Sequence, residues 1–147
     1  MRAFGLCAVF LAGCFPVIDA SGLAPIDDYQ DWYQVETRGA IPAHSDTIRI
    51  IYVNDEAREK LPGEYPSGSV MIKEIYNIEN GERGSIDYFA LMRKLDVAPD
   101  GGELDNGWLF TMIDGADIDD DEVYFSRCWR TCHVAAPFDG TFLNYGQ

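Results

Sequence analysis

A succession of strand-length runs rich in β-branched and aromatic residues, joined by turn-length links, most constrains the fold of this 147-residue chain. Thr47 to Val53 reads Thr-Ile-Arg-Ile-Ile-Tyr-Val and predicts a strand. Further strands are expected over 70–78, 85–94 and 107–114, the last two joined by a loop rich in Gly and Asp. Strands that follow one another through short links pair antiparallel, because a parallel return needs a crossover of a dozen or more residues. A first helix is expected from Ile26 to Val35, with Trp32 and Tyr33 among its apolar members. A second starts at Asn54, which can cap it while Asp55 and Glu56 sit at its positive end, and runs to Leu61 before Pro62 and Gly63 stop it. A third is expected around Ser126 to Ala135. Residues 38–46, with Gly39, Pro42 and His44, read as a loop. The expected class is α+β, a mostly antiparallel sheet with flanking helices.

The length allows one domain, and 47% hydrophobic with 24% charged residues is the balance of a folded globular chain. Residues 1–20 read as an export signal: Arg2 precedes an apolar run from Ala3 to Ala12, too short for the roughly 20 residues that span a bilayer. Two processing readings are open. Leu11-Ala12-Gly13-Cys14 resembles a lipobox, which would leave Cys14 lipidated and first, whereas cleavage after Ala20 would leave Ser21 first. Residues 21–147 then form the single domain, periplasmic or otherwise exported.

With Cys7 and Cys14 in the signal, the remaining cysteines are Cys128 and Cys132, and His133 follows the second directly. Two neighbouring thiols can add across the vinyl groups of one haem, and the adjacent histidine then becomes an axial ligand of its iron. Cys128, Cys132 and His133 are therefore candidates for one covalent haem c per chain, on the C-terminal helix. The motif has three residues between its cysteines where the usual spacing is two. A Cys128–Cys132 disulfide with a surface His133 is the competing reading, and zinc would lack a fourth ligand. The net charge of −14 excludes a nucleic-acid partner and suits a basic one such as a soluble electron-carrier cytochrome, although acid that merely keeps a protein soluble reads the same way.

The residues from Trp32 to His133 resemble cytochrome P-460 and its relatives, the beta-type cytochromes c-prime. The resemblance rests on Ile50-Ile51-Tyr52-Val53-Asn54, on the segment from Tyr65 to Glu74 (Tyr-Pro-Ser-Gly-Ser-Val-Met-Ile-Lys-Glu), on Gly107-Trp108-Leu109-Phe110 and on the C-terminal motif. It implies a homodimer with a haem open on its distal side to hydroxylamine or nitric oxide, and hydroxylamine oxidoreductase activity as a candidate. It also implies that Lys73 is cross-linked to the haem macrocycle. Alternation puts Lys73 on one face with Met71 and Ile75, where a lysine is costly unless partnered or chemically consumed. An edge strand with Lys73 reaching to water is the bland alternative.

Hydroxylamine oxidation needs a proton acceptor. In this family such an acid is expected shortly after the haem motif, and the first one here is Asp139. An apolar distal pocket, including Phe138 or Phe89, would instead suit gas binding. His44 is a candidate distal ligand or proton relay. Met71, Met92 and Met112 are candidate sixth ligands or core, and the run from Asp114 to Glu122 reads as a solvated acidic loop. A non-enzymatic gas-binding haem protein and a haem-free, disulfide-bonded binding domain are the alternative functions.

Overall fold

In the computed structural model, residues 15–41, 44–59 and 64–146 are described. Leu11 to Cys14, the lipobox reading, thus lies outside them together with the rest of residues 1–14. The strands are β1 (Tyr33–Ile41), β2 (His44–Val53), β3 (Val70–Glu79), β4 (Glu82–Lys94), β5 (Trp108–Asp114) and β6 (Val123–Tyr124). They form one sheet in sequential order, every pair antiparallel. The helices are short: α1 (Asp55–Arg58), α2 (Arg127–Thr131) and 3-10 turns at Tyr29–Asp31 and His133–Ala135. The class is α+β, as expected.

The helix expected from Ile26 to Val35 is not formed. Only Tyr29–Asp31 makes a helical turn, and β1 begins at Tyr33. Tyr33, Val35 and Thr37 alternate with Gln34 and Glu36, a period of two, and β2 offers this segment a complete partner. The expected loop over 38–46 is largely strand for the same reason, and only Pro42 and Ala43 within it lie outside the described residues. Asn54 caps α1 as expected, its side chain accepting from the Ala57 amide at 3.1 Å. The same side chain accepts from Val70 N at 2.9 Å and donates to the Gly68 carbonyl at 2.9 Å, so the cap also fixes the start of β3.

The sheet has two distinct faces. One packs Ile50, Tyr52, Ile72, Phe89, Leu91 and Ile113 around Tyr29. Inside it Glu74, 1% exposed, accepts from the hydroxyls of Tyr29 (2.6 Å), Tyr52 (3.3 Å) and Tyr76 (2.6 Å). The other face carries Val53, Met71, Trp108 and Phe110, with Cys128, Trp129 and Tyr145 packed against them. The acidic run is not uniformly solvated: Asp117, Asp119 and Asp121 are exposed, but Glu122 is buried, paired with Arg93 and accepting from Thr111. Beyond β6 the sheet gains one more short partner. Tyr124 N donates to Pro16 O (2.8 Å), Val17 bridges Val123, and Ile18 N donates to Glu122 O (2.9 Å).

Candidate functional site

Register decides which side chains meet. Lys73 pairs with Ile51 on β2 and Ala90 on β4, and Ala90 pairs with Met112 on β5. Directly paired residues share a face, so Ile51, Lys73, Ala90 and Met112 form one row, flanked along β3 by Met71 and Ile75. Lys73 is half-buried and makes no ion pair among the described residues. Burial lowers its pKa, Cys128 and Cys132 oppose that shift, and Arg49 adds to it. Lys73 thus stands within electrostatic reach of both cysteines of a motif some fifty-five residues downstream in the chain.

The motif does not lie wholly on a helix. Cys128 sits inside α2, Cys132 leaves helical geometry (φ −132°, ψ −54°), and His133 opens the following 3-10 turn. The three-residue spacing places the second cysteine where the helix ends, and this break lets His133 turn toward the sheet. Both thiols are half-buried and unbridged. Burial pushes the Cys128 thiol up, and Lys73 pulls it back in part.

The His133 ring packs against Phe110 (5.1 Å between centroids) and edge-on against Phe142 (5.4 Å). Its Nδ1 lies 2.7 Å from the Gly140 carbonyl oxygen, which can only accept, so Nδ1 carries the proton and Nε2 keeps its lone pair. Burial lowers the histidine's pKa, which keeps that lone pair available. No hydrogen bond engages Nε2 among the described residues. Val134, Phe138, Phe142 and Leu143, which follow the cysteines in the chain, are exposed apolar side chains.

Asp139 lies elsewhere in this arrangement. Its carboxylate accepts from Lys94 Nζ (3.0 Å), Tyr65 N (2.8 Å) and Asn106 Nδ2 (3.0 Å), and its side chain is 4% exposed. Asp139 (φ +50°) and Gly140 (φ +83°) are the central residues of a hairpin turn closed by Phe138 and Thr141. That pair of left-handed residues is what Asp-Gly favours. The dipeptide was the available sequence signal for Gly140, the histidine's partner, which the motif reading missed.

Phe89 cannot line this site. It pairs with Glu74 and is buried on the opposite face, because one step along a strand reverses the side-chain direction. Met71 and Met92 pack with Cys128 and Trp129, while Met112 stays half-buried in the lysine's row. Asp114, read from the sequence as the start of the acidic loop, is the partner of Tyr88 at the end of β5 and an exposed carboxylate on the motif's face. The side chain of His44 lies outside the described residues.

An antiparallel sheet that presents two unbridged thiols, an imidazole with Nε2 uncommitted and a half-buried amine on one face has the donor set of a haem-binding protein. These residues fit that group, since the thiols are unbridged and the imidazole keeps Nε2 uncommitted. The chain belongs to the cytochrome P460 family, whose model matches residues 26–141, and membership implies a haem cofactor. No curated protein matches the chain.

Proposed function

We propose that this chain is an exported mono-haem c-type cytochrome. Cys128 and Cys132 would hold the porphyrin by thioether bonds, and His133 would bind iron through Nε2. Lys73 would be the cross-link residue. The observation that carries this reading is the convergence of Lys73, without an ion pair among the described residues, on both cysteines from a distant strand. When bound, the haem supplies the redox chemistry. The chain's own part is to pack the imidazole between Phe110 and Phe142 and to hold one proton on Nδ1.

The distal side binds hydroxylamine or nitric oxide, with oxidation of hydroxylamine as the enzymatic reading and a soluble cytochrome as electron acceptor. The competing reading is gas binding without turnover. It is favoured by the apolar Ile51, Ala90 and Met112 beside Lys73 and by the commitment of Asp139 to three other donors. Under the oxidation reading Asp114 becomes the acid to test on that face.

The reduced absorption spectrum of protein made in a host that attaches haem tests this. A Soret band far to the red, lost in Lys73→Ala with haem retained, supports the cross-link. An ordinary high-spin spectrum unchanged by Lys73→Ala removes the cross-link and leaves gas binding. No Soret band retires the cytochrome reading. Cys132→Ala should abolish haem retention, and covalent haem that survives loss of both cysteines would end the attachment claim. We further propose a homodimer, which a sedimentation velocity run showing only monomer at working concentration would rule out.

Export leaves the two processing readings to be weighed. Cleavage after Ala20 would strip Pro16, Val17 and Ile18 from the edge of β6, and Ile18 is 5% exposed. Gly101 fits this strip closely, since a Cβ there would lie 2.5 Å from the Val17 carbonyl oxygen. Processing that retains residues 15–20 is therefore the reading we favour. An N-terminus found at Ser21 in intact mass spectra would refute it.

A further inference from the structure

We propose that Asp139, acting with Lys94, is a positioning residue for His133: together they lock the turn whose Gly140 carbonyl holds the imidazole. The proposal rests on the haem reading above and goes beyond it. An Asp-Gly turn closes a hairpin unaided, so closure alone does not account for what surrounds this one. Lys94 is buried, its side chain 11% exposed, and it points to the Asp139 carboxylate and the Asn106 carbonyl (2.9 Å) above the Trp108 ring. Bringing that ammonium out of water is costly, and breaking such a pair leaves a buried charge without a partner.

A further donor grips the backbone of the same turn: Trp108 Nε1 donates to the Asp139 carbonyl at 2.8 Å. Side chains from β4 and β5, and the backbone of the Tyr65 segment, thus converge on one residue. The next carbonyl in the chain is the acceptor for His133 Nδ1. Gly140 has no room to adjust, because a Cβ would lie 3.1 Å from Trp129 and 3.2 Å from Trp108 Nε1. The clamp therefore fixes the direction of one acceptor, and through it the tautomer and orientation of the imidazole. Outer partners of a metal-bound histidine tune its basicity in this way.

The test compares the holoprotein with Asp139→Asn and Lys94→Gln. It reads the iron–histidine stretching band of the reduced state and the midpoint potential. A loosened Nδ1 bond makes the imidazole a poorer donor, which lowers the stretching frequency and favours ferrous iron. Both variants should raise the reduction equilibrium constant by about tenfold, about 59 mV for one electron. Charge alone predicts opposite signs, because losing the anion raises the potential whereas losing the cation lowers it. A fall in Lys94→Gln, or a stretching band unchanged in both variants, overturns the proposal. Should Asp139→Asn fail to fold, Asn106→Ala removes one clamp bond at an exposed residue. It should move the band the same way by less, and an unmoved band again overturns the proposal. If a pyridine haemochrome assay finds no covalent haem, the functional reading fails on its own. Nitrogen NMR of the haem-free chain then decides this proposal: the Nδ1–H tautomer of His133 should dominate and be redistributed in both variants, and unchanged populations refute it.

Discussion

Glu74 shows how much a single buried side chain can organise. It directly follows Lys73 on β3 and therefore faces the other side of the sheet, where three tyrosine hydroxyls converge on its carboxylate. Replacing it with Gln removes the charge those phenols donate to and introduces an amide with no acceptor arranged for it. We expect Glu74→Gln to cost on the order of 3 kcal/mol in chemical denaturation, and a loss under ~1 kcal/mol would show that water satisfies the phenols equally well. The tyrosines carry a pH signature as well. Burial, reinforced by the Glu74 charge, raises the pKa of Tyr29, Tyr52 and Tyr76. A folded-state pKa above the unfolded value means the folded state holds its protons longer. Their contribution is then complete below about pH 10 and is lost as pH rises beyond it. Phenolate absorbance from these residues should therefore appear together with unfolding, and a separate earlier step accounting for all the tyrosines would contradict the cluster.

At the scale of elements, the strands over 47–53, 70–78, 85–94 and 107–114 were legible because their composition and bounding turns agree with their final partners. Segment 26–35 was not, since its apolar residues fit a helix or a strand over so short a run, and only the free edge of β2 settles the choice. The C-terminal helix was foreseen in place but not in extent, because its break at Cys132 comes from tertiary fit of His133 to the Gly140 turn. Asn54 joins elements directly, capping α1 and anchoring the start of β3 with one side chain. Asn54→Ala loses both roles and should lower stability by about 2 kcal/mol, above the ~1 kcal/mol typical of a cap alone. A loss no larger than the cap value would mean that the bonds to Val70 and Gly68 contribute nothing.

Across the whole molecule, the described segment before β1 extends the β6 edge of the sheet, while Tyr145 packs on the face that carries Trp108 and Phe110. On the side away from the haem motif, Arg93 of β4 is paired with Glu122 just before β6, and both are buried. Glu122→Gln should destabilise by about 3–5 kcal/mol, and a double variant with Arg93→Met should recover much of that loss, since no charge is then left buried. Additive losses in that cycle would argue against direct coupling. The strip at Pro16–Ile18 extends the same edge. Deleting residues 1–20 should lower the melting temperature by several degrees, roughly what 1–2 kcal/mol does to a domain of this size, whereas an unchanged melt would mean the strip adds nothing.

The sequence alone determined the sheet-rich class and set Cys128, Cys132 and His133 within six residues of one another, because these depend on local composition and fixed spacing. Tertiary structure decided what depends on register and on distant contacts. It turned Phe89 away from the site and brought Lys73 to the cysteines. It bound the Asp139 carboxylate to Lys94, and it chose the Gly140 carbonyl as the partner of His133. The physical reason is that a strand's pattern fixes which residues share a face, whereas pairing and packing fix which face looks at what.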